Sequence, residues 1–280
     1  MNGLMFSEFH DDSIGLTFKI EKSIISYQTK FQKLDLYETK THGRLLTLDD
    51  FIMVTERDEF IYHEMITHVP LYTHKNPKNV LVIGGGDGGT VREIVKHDTV
   101  ENVDMIEIDE DVVKVAKQFL PTMSCELENE KVNLHFVDGV EWVKNKSEVY
   151  DLIIIDSTDP INIGEGLFTR EFYANCNNAL KSGGILVNQS ESPFYNPEWV
   201  ENIYGKLNDC FAKVKPYMSY TPTYPAIWTF GMCFKDEDAS EEFERLRFTM
   251  DDFVLKYYNG EIHTACFALP TFVKELTSKK

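Results

Sequence analysis

Five short apolar runs alternate with helix-like stretches in this 280-residue chain, and this alternation constrains the fold more than any other feature. The runs are NVLVIG, VDMIEI, VNLHFVD, YDLIIIDS and GGILVNQ. Continuous apolar runs are typical of strands covered on both faces, and strand-helix alternation is typical of a parallel doubly wound sheet. We therefore predict an α/β fold with a Rossmann-like, doubly wound, mostly parallel sheet. The later segments VKPYMSYT and AIWTFGMCF are predicted to extend this sheet as antiparallel edge strands.

The first part of the chain has a different pattern. The segments LTFKI, KLDLYET and RLLTLDD are short, alternate in polarity and are separated by turn signals, which predicts a small N-terminal antiparallel β domain. The next segment, ERDEFIYHEMITHVPLY, predicts a bridging helix with one apolar side, formed by Phe60, Ile61, Met65, Ile66 and Val69. We place the domain boundary between residues 1–56 and residues 57–280.

Composition limits the partners of the chain. Forty-six acidic and 28 basic residues leave a formal charge of -18, which repels nucleic acid and anionic membranes and suits cationic ligands. The N-terminal residues lack the basic start and apolar run of a signal peptide, and no apolar stretch approaches membrane-spanning length, so we expect a cytoplasmic protein. The five cysteines include no C-x-x-C pair, which predicts neither a disulfide framework nor a metal site.

Acidic residues follow the predicted parallel strands at the point where each strand ends. Asp87 lies in the glycine-rich segment after the first run, and Glu107, Asp138 and Asp156 end the next three. Glu191 follows the fifth run closely. Because ligands of doubly wound sheets bind outside the carboxyl ends of the strands, we expect these carboxylates to share one crevice.

The glycine-rich segment formally matches a dinucleotide-binding motif. Gly84, Gly86 and Gly89 satisfy G-x-G-x-x-G and permit a tight turn with close backbone approach. A dinucleotide would, however, bring its pyrophosphate against Asp87, and like charges repel. No G-K-[ST] follows the glycines, so a Walker-type phosphate loop is also not indicated.

A nucleoside without phosphates fits the strand ends better. Glu107 is placed to accept both ribose hydroxyls, and Asp138 to accept from an adenine amino group beside the Gly139 backbone. Two structural alternatives stay open: Glu107 as a solvated acid at the start of EIDEDV, and Asp138 as the N-cap of GVEWVK.

The acidic crevice also favours a particular nucleoside. S-adenosylmethionine carries a sulfonium cation, but its carboxylate would be repelled by Asp87 and Asp156. Decarboxylated S-adenosylmethionine has only an ammonium at that end. We therefore predict the decarboxylated form as the donor.

The loop after the fourth strand carries two carboxylates. Asp156 and Asp159 flank Ser-Thr and precede a proline, which favours a site for two cationic nitrogens over a helix cap or an Asx turn. Tyr62, His63 and Tyr224 are candidates for hydroxyls and aromatic walls around a methylene chain with charged ends, and packing residues are the alternative reading of each.

With these residues assembled, the chain resembles the polyamine aminopropyltransferases. The resemblance covers nearly the whole chain, in order. It rests on MFSE, Gln32 before KLDLYET, LLTLDD, TERDEFIYHEM, VLVIGGGDGGTVREI, EIDEDVV, VDGVEWV, YDLIIIDSTDP, GEGLFTREFY, TPTYP and ACFALPTF.

The resemblance implies transfer of an aminopropyl group from decarboxylated S-adenosylmethionine to putrescine, giving spermidine and 5'-methylthioadenosine. It implies no metal and no cofactor beyond this co-substrate. It further implies that the N-terminal β domain contributes a wall of the active site and assembles dimers or tetramers, and that the second domain is catalytic.

The resemblance also implies roles for individual residues. Asp156 matches the proton acceptor, and we group Tyr62 with it as a catalytic residue. Asp87 and Asp156 bracket the aminopropyl ammonium, and Asp159 holds the diamine. The nucleoside-binding positions match Gln32, Glu107, Asp138 and Gly139, and the polyamine pocket matches Tyr62, His63 and Tyr224.

Two departures from the family pattern bear on specificity. Asn162-Ile163 stands where the family usually has a Gly-Pro pair, which bears on loop closure. After the TPTYP segment the family often has a small residue and a glycine before the next strand, whereas this chain has a shorter segment, Ala226-Ile227-Trp228, which bears on acceptor length. Two other functions stay open: an S-adenosylmethionine-dependent N-methyltransferase acting on a diamine, and a non-catalytic sensor of nucleosides or polyamines.

Overall fold

The computed structural model describes residues 3–10, 12–224 and 226–278. A five-stranded antiparallel sheet comes first, with its strands neighbouring one another in chain order. They are β1 (Leu4–Phe9), β2 (Gly15–Gln28), β3 (Lys33–Thr39), β4 (Gly43–Leu48) and β5 (Phe51–Thr55). The predicted N-terminal antiparallel sheet is confirmed.

The second sheet has seven strands. They are β6 (Asn79–Gly84), β7 (Asn102–Glu107), β8 (Val132–Phe136), β9 (Tyr150–Asp156), β10 (Leu180–Gln189), β11 (Lys213–Ser219) and β12 (Trp228–Phe234). Their order is β11-β12-β10-β9-β6-β7-β8. Strands β6 to β10 run parallel, whereas β12 pairs antiparallel with β10, and β11 antiparallel with β12. The mostly parallel doubly wound sheet with an antiparallel extension is therefore as predicted.

Helices connect the strands and cover the second sheet. They are α1 (Glu59–Thr73), α2 (Gly89–Val95), α3 (Glu110–Phe119), α4 (Pro121–Ser124), α5 (Gly139–Val143), α6 (Arg170–Ala179), α7 (Pro197–Cys210), α8 (Arg245–Met250), α9 (Gly260–Ala265) and α10 (Thr271–Thr277), with a 3-10 helix at Asn162–Phe168. Among the described residues, none of these helices combines the length and apolarity that a membrane crossing requires.

The central strands are buried on both faces. Along β6, Val80 and Val82 pack into one apolar cluster with α1, and Leu81 and Ile83 pack into a second cluster with α6 and α7. Side chains alternate between the faces of a strand, so an apolar run without interruption supplies both layers. Each fully buried side chain of this kind contributes about 1.5–3 kcal/mol relative to an exposed one.

Helix α1 differs from its predicted form. Every residue of the helix except Phe60 is buried, so the expected single apolar face was wrong. The helix is enclosed by β9, β10, α2 and the C-terminal part of the chain. Its polar residues are buried with partners; for example, the Glu64 carboxylate accepts backbone N–H groups of Tyr257 and Tyr258 at 2.8 and 2.7 Å.

The order of the strands reverses beside β6. The chain continues from β6 to β7 and β8 on one side and returns to β9 on the other, where Gly84 lies opposite Asp156. The first sheet packs against the same region, with Leu34 and Leu36 contacting the α3 cluster. The crevice at this switch point, the expected ligand position in such a fold, therefore lies between the two sheets.

Candidate active site

A cavity of about 400 Å³ occupies this crevice. Its volume falls in the range of small-molecule sites. The cavity is lined by all ten residues that the sequence indicated: Gln32, Tyr62, His63, Asp87, Glu107, Asp138, Gly139, Asp156, Asp159 and Tyr224. The fold therefore brings them together, while their individual roles stay predictions.

The glycine-rich turn after β6 lets two strand ends approach each other closely. Gly84 and Gly85 have φ values of 84° and 72°, which glycine adopts without strain. A Cβ at Gly84 would overlap the carbonyl oxygen of Asp156, and that oxygen accepts the Gly85 N–H at 2.8 Å. The turn thus positions Asp156 through its backbone.

Asp156 is held by two hydroxyl groups. Its Oδ1 accepts from the Tyr62 hydroxyl at 2.8 Å, and its Oδ2 accepts from the Thr90 hydroxyl at 2.6 Å. Burial raises the pKa of Asp156; His63 and the two hydroxyls oppose this rise, and the charge of Asp87 adds to it. A buried carboxylate with a raised pKa is suited to accept a proton near neutral pH.

The surroundings of Asp87 shift its pKa in the opposite direction to that of Asp156. Its Oδ1 lies 3.3 Å from Nε2 of His63 and accepts the Gly89 N–H at 2.7 Å. Burial is the largest single influence and favours the protonated form, but the positive His63, the Gly89 N–H and Arg92 together outweigh it and lower the pKa of Asp87. The two neighbouring carboxylates are therefore inequivalent, with Asp87 the more stable anion.

The other end of the cavity presents Glu107 and Gln32. Oε1 of Glu107 accepts the Asp109 N–H at 2.9 Å, and burial is the main cause that raises the pKa of Glu107 to about 7. Gln32 Nε2 donates to Asp109 Oδ2 at 3.0 Å, which ties the first sheet to the start of α3. Glu107 is therefore buried, so the alternative reading of a solvated acid was wrong.

Asp138 both caps a helix and borders the cavity. Its Oδ1 accepts the Val140 N–H at 2.8 Å and so caps α5. The same side chain lies on the exposed rim of the cavity beside Gly139. Capping thus leaves Asp138 available at the cavity.

Three further carboxylates meet near the end of the cavity formed by the loop after β9. Asp159 shares a hydrogen bond with Glu191, and burial raises the pKa of both groups. Glu8 of β1 also lines the cavity, and burial raises its pKa to about 7, with Asp159 adding to the rise. Glu8 was not predicted from the sequence, because nothing local in MFSE connects it with a loop about 150 residues away.

Tyrosines form part of the wall. The Tyr224 hydroxyl donates to the carbonyl oxygen of Met53 at 2.6 Å, so this residue presents its ring to the cavity. Its ring centroid lies 5.7 Å from that of Tyr62 and 4.9 Å from that of Trp228. Both tyrosines line the cavity, and of these two Tyr62 directs its hydroxyl toward a site carboxylate.

Both departures from the family pattern adopt a left-handed backbone conformation. Asn162 has a φ of 50° and Ala226 a φ of 56°. This conformation is ordinary for asparagine and costs alanine about 1–2 kcal/mol. Both residues therefore have a backbone conformation that favours glycine, although neither is a glycine.

Comparisons with known proteins agree with this fold. The family model described as "Spermine/spermidine synthase domain" matches residues 59–244, and the one described as "Spermidine synthase tetramerisation domain" matches residues 4–56. Polyamine aminopropyltransferase of Clostridium beijerinckii is 45% identical over 276 residues, covering 98% of this chain and 97% of the relative. That of Alkaliphilus oremlandii is 46% identical over 280 residues, covering 99% of each.

Solved structures show the same similarity. A spermidine synthase in complex with the transition-state analogue AdoDATO superimposes with a TM-score of 0.95 at 39% identity, covering 98% of this chain and 94% of the other. Spermidine synthase from Thermotoga maritima gives 0.94 at 39% identity, covering 99% and 95%. The fold and site are those of an α/β transferase. The chain belongs to the spermine/spermidine synthase family, the polyamine aminopropyltransferases, as its motifs predicted.

Proposed function

We propose that this chain transfers the aminopropyl group of decarboxylated S-adenosylmethionine to putrescine, giving spermidine and 5'-methylthioadenosine. The observation that carries the proposal is the pair of inequivalent, half-buried carboxylates, Asp87 and Asp156, at the switch point of the sheet. Family membership supports the same reaction.

The nucleoside is proposed to bind along the ends of β7 and β8. Glu107 accepts the ribose hydroxyls, Asp138 accepts from the adenine amino group, and the Gly139 backbone and Gln32 complete this part of the site. The burial of Glu107 and the position of all four residues on one cavity support this assignment.

The raised pKa of Glu107 predicts a pH dependence of nucleoside binding. Because only the ionised carboxylate accepts both hydroxyls, affinity falls as pH drops through about 7. Between pH 8 and pH 6 the Kd of methylthioadenosine is expected to rise about tenfold. Isothermal titration calorimetry measures this, and Glu107→Gln, which does not ionise, is the control: it should bind weakly at both pH values. An equal pH dependence in the variant would contradict the assignment.

The charges of the site favour the decarboxylated donor. Asp87 and Asp156 bracket the ammonium of the aminopropyl group, and no arginine or lysine lines the described cavity to receive a carboxylate. The intact donor would place its carboxylate among these acidic groups. This argues against the N-methyltransferase alternative.

The acceptor is proposed to lie between Tyr62 and Tyr224, with one nitrogen near Asp156 and the other near Asp159. His63 belongs to the wall of this pocket. Asp159 and Glu191 share a hydrogen bond, as expected when two carboxylates cannot both ionise in a buried site. A cationic nitrogen there stabilises the anions and displaces the shared proton, which fits a dication such as putrescine.

The chemical step needs a neutral attacking amine. An ordinary amine has a pKa of about 10.4 and is charged at neutral pH. Enclosure and the sulfonium charge of the donor disfavour the ammonium, so its proton passes to Asp156, with Tyr62 orienting that carboxylate. The nitrogen lone pair then attacks the methylene in line, a C–N bond forms, and the C–S electron pair leaves on the sulfur of methylthioadenosine. The sulfonium is itself the leaving group, so the proposed step needs no metal and no covalent enzyme intermediate.

The assembly is proposed to be a cytoplasmic homodimer or homotetramer without nucleic acid or membrane partners. Residues 1–56 form the proposed oligomerisation domain and part of the active-site wall, and residues 57–280 form the catalytic domain. The tetramerisation-domain match and the exposed apolar side chains of Leu4, Met5 and Phe9 on β1 support this assembly. The net charge of -18 supports the absence of anionic partners.

A product assay tests the proposed function. The protein is incubated with decarboxylated S-adenosylmethionine and, separately, putrescine, cadaverine, agmatine or spermidine, and the products are identified by mass spectrometry. Methylthioadenosine with spermidine from putrescine is the expected result. Binding of both ligands without any product would instead identify a sensor, and product only from a longer acceptor would overturn the assignment of putrescine.

A further inference from the structure

A line of buried, alternating charges runs from the cavity into the protein. Asp87 Oδ1 lies 3.3 Å from His63 Nε2, and His63 Nδ1 lies 2.7 Å from Glu59 Oε2. Arg92 contacts both oxygens of Glu59, at 3.0 and 2.9 Å, and its Nε donates to Glu93 at 2.8 Å. The line therefore connects a site carboxylate with residues outside the cavity.

The two ring nitrogens of His63 both face carboxylates. A carboxylate accepts hydrogen bonds, so both nitrogens are satisfied at once only when both carry protons. The groups that face the ring are Glu59 on its own helix, Asp87, the Tyr62 ring and, further away, Asp156. Both direct neighbours favour the imidazolium, and they raise the pKa of His63 well above its usual value despite burial.

The ring of His63 has little room to turn. It lies against Gly89 at the start of α2, where any Cβ would overlap three ring atoms. Arg92 holds Glu59 with a bidentate contact, which fixes the plane of that carboxylate. The direction of the Nε2–H toward Asp87 is thus set from outside the cavity.

The imidazolium distinguishes between the two carboxylates at the switch point. Asp87 receives a charged donor at 3.3 Å, whereas Asp156 receives two neutral hydroxyls from Tyr62 and Thr90. When neighbouring carboxylates have such different surroundings, one remains an anion and the other becomes the proton acceptor.

We propose that Glu59 and Arg92 are positioning residues that hold His63 as an imidazolium directed at Asp87, so that Asp87 binds the donor ammonium and Asp156 remains free to take the proton. The proposal rests on the proposed function for its catalytic part. In this proposal His63 affects the reaction through Asp87, in addition to forming part of the pocket wall.

Histidine nitrogen NMR on the ligand-free protein tests, independently of turnover, whether Glu59 holds His63 as an imidazolium. One signal among those of the eight histidines is assigned to His63 by its loss in His63→Asn. In the unaltered protein both of its ring nitrogens are expected to stay protonated from pH 6 to pH 9. In Glu59→Gln, which removes the charge and keeps the shape, the ring is expected to become neutral within that range. A neutral His63 in the unaltered protein would overturn the proposal.

Kinetics test whether the charged state of His63 supports donor binding and turnover. Glu59→Gln is expected to lower kcat/KM for the donor by about ten- to a hundredfold. The control is Glu93→Gln, which removes a buried carboxylate from the same line; the described hydrogen bonds of Glu93 go to His68, Arg92 and Lys96 and none to His63. It should keep the His63 signal and change kcat/KM less than about threefold, and an effect equal to that of Glu59→Gln would contradict the proposal.

A second variant tests the proposal if the first variant does not fold. If Glu59→Gln does not fold, Arg92→Lys keeps the charge and loses the bidentate contact. It should shift the His63 titration in the same direction by a smaller amount, and an unchanged titration would overturn the proposal. Absence of turnover in the unaltered protein with an imidazolium at His63 would refute the proposed function alone.

Discussion

Asp156→Asn is expected to reduce kcat by about 10²–10⁴-fold, because an amide cannot accept the proton that the attacking amine must lose. Asparagine keeps the size of the side chain and an oxygen for the Tyr62 hydroxyl. The Kd of methylthioadenosine, measured by calorimetry, should therefore stay within about threefold of its original value.

The matched control is Asp159→Asn, the same chemical change three residues away in the same loop. It removes a contact assigned to the distal nitrogen of the acceptor, so it should raise the KM of putrescine more than it lowers kcat. If Asp156→Asn reduced methylthioadenosine binding as strongly as turnover, or if Asp159→Asn had the larger effect on kcat, the proton-acceptor role of Asp156 would be wrong.

The second large effect is expected for Asp87→Asn. Truncating one member of a buried charge pair costs about 2–5 kcal/mol, so kcat/KM for decarboxylated S-adenosylmethionine should fall by about 10²–10³-fold. The partner of His63 at 3.3 Å would also lose its negative charge, so His63 would become less basic. Initial rates at subsaturating donor, with putrescine saturating, measure the effect.

The same variant tests how the donor is selected. Removing the negative charge of Asp87 lessens repulsion of a donor carboxylate. The ratio of kcat/KM for decarboxylated S-adenosylmethionine to kcat/KM for S-adenosylmethionine should therefore decrease. Glu8→Gln is the control, since Glu8 lines the same cavity but lies near Asp159. A preference that is unchanged in Asp87→Asn would show that shape, and not this charge, rejects the carboxylate.

Residues next to strand ends could be located from the sequence because a single local pattern determines them. The run YDLIIIDS is apolar throughout, which predicts a strand covered on both faces, and its last carboxylate must then lie at the carboxyl edge of the sheet. Gly84 and Asp156 end adjacent parallel strands and lie opposite each other, as this reasoning requires.

Residues that reach the site across the fold could not be located in this way. Arg92 on α2 contacts Glu59 on α1 from 33 residues further along the chain, and Glu8 comes from the first sheet. The periodicity of α1 indicated one apolar side, but a helix enclosed on all sides also buries its polar residues, and their partners are distant in sequence. Such pairs follow from packing and leave no local pattern.

One competition experiment tests the central claim, that the paired carboxylates select an aminopropyl donor lacking a carboxylate. The unaltered protein receives decarboxylated S-adenosylmethionine and S-adenosylmethionine at equal concentration with putrescine, and the nucleoside and polyamine products are counted by mass spectrometry. We expect methylthioadenosine and spermidine in equal amounts, with no S-adenosylhomocysteine. S-adenosylhomocysteine together with N-methylputrescine as the main products would contradict it.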